Sequence, residues 1–231
     1  MRSLPSPPRP NINRLTISFW IWTLWDTGTN GFFNYLELRM TPLVGRGFNC
    51  IRIEGGAGFS HDADGRPRGE LEVFPTLPGH GQFSRQMEHM TGGRVDLLKR
   101  LIELGTFAHH HNFKVILSSW YYLHTFLFTD ERVTAELMGL SSGERFMYFG
   151  RGLDRIIVEL KQRGLEDVFA FAEIFNEADG LNWVIGYRAE QKLGALLNPC
   201  QALHEEALAF LKTRHPKIRF ALDTCTPWTN I

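Results

Sequence analysis

Residues 168–180 read Val-Phe-Ala-Phe-Ala-Glu-Ile-Phe-Asn-Glu-Ala-Asp-Gly, and the change of character partway along decides the fold. Val168 to Phe175 is mostly apolar, aromatic and β-branched, the composition of a strand covered on both faces in a parallel sheet. Asn176, Glu177 and Asp179 have no place in such a core. The strand therefore surfaces at Asn176, at the carboxyl end, where parallel α/β folds bind their ligands.

Upstream of that strand, Gly143 to Arg163 contains a helix that turns Leu153, Ile156, Ile157 and Leu160 inward and is ended by Gly164. Before it comes a strand at Lys114 to Tyr121, and before that a helix from Arg94 to Asn112 striped by Leu97, Leu101, Leu104 and Ala108. Phe48 to Glu54 is a strand that follows a helix begun near Phe32, in which Pro42 and Gly45 should introduce a kink or an early end. Leu15 to Trp25 is the first strand. Downstream, Ala202 to Arg214 is a helix stopped by Pro216, and Arg219 to Cys225 is the fifth strand. Leu181 to Pro199 fits neither period. Gly55 to Gly93 is rich in Gly, Pro, His, Asp and Arg without sustained periodicity, and is expected to be a long functional loop.

Four times a helix passes through a short basic or Gly/Pro break into a strand: Arg46-Gly47 into Phe48, His111-Asn112 into Phe113, Arg163-Gly164 into Val168, and His215-Pro216 into Ile218. That alternation predicts parallel βα units. Links into strands are short and links out of them are long, so the elaboration lies on one face, as in a (β/α)8 barrel. A doubly wound open sheet is the alternative. The expected fold class is α/β, a partial (β/α)8 TIM barrel holding strands 1 to 5 of 8, with residues 1–14 a flexible proline-rich segment and 15–231 the incomplete barrel.

Composition narrows the function classes. Among 231 residues, 25 Lys and Arg balance 25 Asp and Glu, which leaves no electrostatic footprint for nucleic acid or an anionic membrane. A neutral or polar small ligand is expected instead. Cys50, Cys200 and Cys225 are too widely spaced for a disulfide framework or zinc site and read as buried thiols. No apolar leader core precedes the first strand, and residues 17–24 are too few to span a bilayer. The expectation is no membrane partner, no visible signal peptide and, by default, a cytoplasmic location.

Glu173 and Glu177 share one side of their strand with Phe175, by its period of two. Carboxylates facing inward cost on the order of several kcal/mol in desolvation unless paired. Arg52, on a strand side shared with Cys50 and Glu54, is the expected counter-charge. A buried ion pair is the expectation for Glu173, and a catalytic role for Glu177, which lies at the strand exit beside the Asn176 amide.

Three segments together resemble strands two, three and four of glycoside hydrolase clan A, especially family 5 and its cellulase-like relatives. They are Gly-Phe-Asn-Cys-Ile-Arg-Ile at Gly47 to Ile53, Lys-Val-Ile-Leu-Ser-Ser-Trp at Lys114 to Trp120, and Glu-Ile-Phe-Asn-Glu at Glu173 to Glu177. The likeness extends from Leu15 to about Cys225. It implies a (β/α)8 barrel and a retaining mechanism in which Glu177 is the acid/base, Asn176 contacts the sugar 2-hydroxyl, and Arg52 supports the catalytic carboxylate. It implies a carbohydrate substrate and no cofactor. In that family the nucleophilic glutamate comes from strand seven, and this chain ends just past strand five, so a fragment lacking its nucleophile is expected. Trp120 stands where many family 5 members have a histidine-bearing strand end, with His124 a few residues on.

Trp25, Trp120, Tyr121, Tyr122 and Trp183 are candidates to stack on sugar rings, with core packing as the alternative. Asp26 is a candidate for binding a sugar hydroxyl or for closing an Asx turn. Asp26-Thr27-Gly28-Thr29 resembles an aspartic protease motif, but in a chain full of helices. The run His109-His110-His111 falls in the last turn of a helix, where cations complement the dipole. Asp62, Asp64 and Gly65 resemble a calcium loop, but Val73 stands where its bidentate glutamate belongs. No metal is expected. The alternative to a glycosidase is a non-catalytic or degenerate carbohydrate-binding barrel, and a third option is a metal-dependent barrel hydrolase using His124 and Asp223. Open barrel edges are expected to favour non-specific association.

Overall fold

A computed structural model of the chain describes residues 16–18, 24–55, 57–73, 92–118, 133, 135–136, 139–140, 142–174 and 205–221. In chain order its strands are β1 (Thr16–Ser18), β2 (Cys50–Glu54), β3 (Glu70–Val73), β4 (Gly93–Asp96), β5 (Lys114–Ser118), β6 (Phe169–Glu173) and β7 (Phe220–Ala221). The helices are α1 (Leu36–Gly45), preceded by a 3-10 turn at Phe32–Tyr35, α2 (Leu97–His110), α3 (Ser142–Gln162), and α4 over 205–214. β1, β2, β5, β6 and β7 form one sheet in that order, parallel at every pairing. The alternation legible in the sequence is thus an α/β fold whose parallel strands are laid side by side in the order in which the chain makes them.

The breaks before the strands turn out to be one device used three times. After α1, Gly47 N–H bonds to Val44 O and Phe48 N–H to Leu43 O. After α2, Asn112 bonds to His109 O and Phe113 to Ala108 O; after α3, Gly164 bonds to Lys161 O and Leu165 to Leu160 O. Each is a Schellman cap, which needs a left-handed residue at its centre. Gly47 at φ 89°, Asn112 at 50° and Gly164 at 73° supply it. The residue following each cap returns toward the core, with Phe113 and Leu165 buried, so helix end and strand start are fixed together.

Pro42 lies inside α1, which nonetheless continues to Gly45. α2 begins at Leu97 rather than Arg94, because Arg94 to Asp96 belong to β4 and the Asp96 carboxylate caps the helix by accepting from Lys99 N at 2.9 Å. Gly55 to Gly93 is not a structureless loop. It carries β3, which pairs antiparallel with β4, and the alternation Glu-Leu-Glu-Val at 70–73 buries Leu71 and Val73.

The sheet has two unlike faces. Ile51, Ile53, Val115, Leu117, Ala172 and Ile174 join a core with Leu97, Leu101, Leu104 and Ala108 of α2 and Leu153, Ile156, Ile157 and Leu160 of α3. By the strand period of two, Cys50, Arg52, Ile116, Ser118, Phe171 and Glu173 belong to the other face. β6 reaches that face through a bulge. The register passes from Val115–Phe169 to Ile116–Phe171, so Ala170 is an extra residue; were it instead paired regularly with Ile116, Phe171 and Glu173 would fall on the helix side.

Candidate functional site

The register sets Glu54 beside Ser118, and Ser118 beside Glu173, at the carboxyl ends of β2, β5 and β6. Arg52 starts two residues lower, opposite Ile116, so its side chain climbs roughly 6.6 Å along the strands to reach that level. There Nε donates to Glu173 Oε1 at 3.0 Å and Oε2 at 2.9 Å, while Nη2 donates to Oε2 at 2.5 Å. Nη2 also lies 3.4 Å from Ser118 Oγ. Glu173 is 6% exposed and Ser118 0%. The ion pair expected for Glu173 is present, and a single guanidinium binds three neighbouring strands at one height.

β6 runs from this pair directly, in sequence, into Asn176 and Glu177. Those two residues, with Trp120, His124 and Trp183, lie outside the described residues, as do Tyr121 and Tyr122. Asp26, after β1, accepts a hydrogen bond at Oδ1 from Gly28 N at 2.9 Å, an Asx turn. Its neighbour Thr27 donates to Gly92 O at 2.5 Å, and Arg100 of α2 donates to Asp26 O at 2.9 Å. Trp25 is 2% exposed and packs edge-on against Phe59, with ring centroids 5.0 Å apart. Its ring is committed to the core and is not a sugar platform.

The segment leaving β2 is held by a hydrogen-bond network that the sequence reading missed. Arg68 donates from Nε to His61 O at 3.0 Å, and from Nη2 to Glu136 Oε2 at 2.5 Å and Tyr148 Oη at 2.6 Å. Tyr148 in turn donates to His61 O at 3.2 Å, and burial pushes its phenol up to about 12. Arg155 of α3 donates to the carbonyls of Asp62 and Ala63. Asp62 Oδ1 accepts from Arg66 N at 2.8 Å and Asp64 pairs with Arg66 at 3.1 Å, so the calcium-loop lookalike is a self-closed turn. The available hint was an arginine within a Gly- and Asp-rich stretch, a pattern too common to single out Arg68.

The helix-end histidines also have partners. His109 Nδ1 is 3.0 Å from Asp167 and His111 Nε2 3.3 Å from Glu37. Among the described residues no three His, Cys, Asp or Glu side chains gather as a metal site, and no helix is long and apolar enough to cross a membrane.

No protein-family model matches the sequence, and no curated protein matches it. Among solved structures, the chain is similar to the crystal structure of a "putative glycoside hydrolase" from Parabacteroides distasonis ATCC 8503, at 17% identity and a TM-score of 0.62. The match covers 91% of this chain and 51% of that one, so this chain spans about half the length of its structural neighbour. The likeness is one of fold: a glycoside-hydrolase-like α/β arrangement of parallel strands and helices.

Proposed function

We propose that this chain forms part of a retaining glycoside hydrolase barrel of the (β/α)8, family 5-like type, acting on a β-linked glycan or glycoside. The observation that carries this reading is the Arg52–Glu173 pair, set at the carboxyl ends of the parallel strands in the same β6 segment that continues into Asn176-Glu177. In this reading Glu177 protonates the glycosidic oxygen, Asn176 holds the sugar 2-hydroxyl, and Arg52 supports the carboxylate that attacks the anomeric carbon. Trp120, His124, Trp183 and Asp26 contact the substrate. The likeness to half of a glycoside-hydrolase-like structure supports the reading from the side of the fold.

General acid catalysis contributes about 10² to 10⁴ in rate. In the full-length protein, Glu177→Gln is expected to slow hydrolysis of glycosides with poor leaving groups by that factor, while activated aryl glycosides suffer far less. Near-wild-type rates on both substrates would remove Glu177 from the mechanism.

A second reading, a carbohydrate-binding barrel without catalysis, is favoured by one observation. Retention needs two carboxyl groups about 5 Å apart, and both oxygens of Glu173, the carboxylate closest to Glu177 on that strand, accept from Arg52. Glycan binding without turnover of any aryl glycoside would select this second reading.

A further inference from the structure

We infer that Glu173 is a positioning residue: it fixes the height and orientation of the Arg52 guanidinium at the strand ends, and so sets the cation that the proposed glycosidase uses. The inference rests on that functional reading. Three observations carry it. Arg52 is rooted two residues below the level at which its charge is held, and Glu173 accepts from it at that level. The contact is made through the Nε–Nη2 edge, which fixes the plane of the guanidinium as well as its distance, whereas a single contact would leave it free to rotate. Ser118, fully buried on the strand between them, lies 3.4 Å from the same Nη2.

Stability alone does not call for this arrangement. A buried ion pair is often matched or bettered by apolar side chains of similar volume, and the opposite face of these strands is filled in that way, by Ile51, Ile53, Val115 and Leu117. Glu173 also sits beyond the Ala170 bulge, the irregularity that turns it onto the Arg52 side. An element bent to aim one carboxylate at one arginine is the kind of support a reacting site needs, because misplacing a group by about 1 Å can lower the rate about 10²-fold.

The test uses the full-length protein, an aryl β-glycoside and two readouts. With Glu173→Gln, kcat is expected to fall about 10²-fold with KM within about threefold. Adding Arg52→Lys should lower kcat little further, since both changes disturb the same group. The second readout is the NMR signal of the Arg52 Nε–H, which should exchange slowly with solvent in the wild type and quickly in Glu173→Gln. If Glu173→Gln does not fold, Glu173→Asp keeps the charge and withdraws it by one methylene; a roughly tenfold loss of kcat and an altered Nε–H signal are then expected. A folded variant with kcat within threefold of wild type, or an unchanged Nε–H signal, overturns the inference. If the wild-type protein hydrolyses nothing, the functional reading fails, and the Nε–H signal alone decides whether Glu173 anchors Arg52.

Discussion

At Gly152, α3 has no room for a methyl group: an ideal Cβ there would lie 1.6 Å from Ala57 O, and one at Gly58 2.0 Å from the Phe149 ring. Backbone thus runs directly against helix, and Arg68 and Arg155 fasten the next residues of the segment leaving β2. Overpacking costs about 1–3 kcal/mol where side chains can yield, and a carbonyl cannot yield in that way. Gly152→Ala is therefore expected to destabilise by at least about 3 kcal/mol, lowering the Tm by roughly 6–12 °C for a chain of this size. A melt within 2 °C of wild type, followed by circular dichroism, would show that the segment is not pressed on the helix as described. Neither glycine was legible as a contact, because spacing along a chain says nothing about which distant backbone will arrive beside it.

Among the elements, α4 is fastened to α3 by one buried carboxylate. Asp154 Oδ1 accepts from Arg214 Nε at 2.6 Å and from His215 Nε2 at 2.8 Å. An ionised carboxylate only accepts, so the His215 proton is on Nε2 and its buried Nδ1 is left without a partner. Burial holds the His215 imidazole below its ordinary value, against the upward pull of Asp154 and together with the charges of Lys161 and Arg214; His61 is lowered by burial too. The unfolded chain therefore binds protons more readily than the folded one. This contribution to stability is complete above about pH 6.5 and is lost as pH falls through the lowered folded values. The Tm is expected to be flat from pH 8 to 7 and to decline toward pH 5, with a shallower decline in His215→Gln. An identical slope in that variant would show that His215 does not carry the effect. At this scale the sequence was most readable. The stripes of α2 and α3 and the breaks after three helices were visible because helical period and left-handed Gly or Asn are local properties. β3 and β4 were overlooked because the partners of a two-stranded ribbon lie about twenty residues apart, and each strand alone is too short to announce itself.

For the whole molecule, the parallel sheet is bordered by β1 and β7, each paired on one side only among the described residues. Unpaired strand edges recruit other strands. A preparation of these 231 residues alone is expected to elute as oligomers in light-scattering chromatography and to show no glycosidase activity above background. A monodisperse monomer with a cooperative melt would mean that the edges are covered within the chain. The βα order and the Arg52–Glu173 pair could be read from the sequence, since both follow from strand periods and from the need to neutralise an inward carboxylate. At Asp26 the sequence left sugar contact and Asx turn open together, and the Gly28 N–H on its Oδ1 shows that the turn is made.

The extra residue at Ala170 has a consequence of another kind. In a ribbon whose side chains alternate, inside and outside are a matter of odd and even, and one inserted residue changes the count for everything after it. Phe171 and Glu173 keep their side only because Ala170 stands outside the regular pairing. Taking Ala170 back into regular pairing would act on the fold as a frameshift acts on a reading frame. Every residue would survive, yet Ala172 and Ile174 would be delivered to the charged face and Glu173 to the oily one. A comparison with distant relatives that slides β6 along without a gap at this point would therefore set carboxylates against aliphatics and hide a correspondence that three-dimensional superposition can still find.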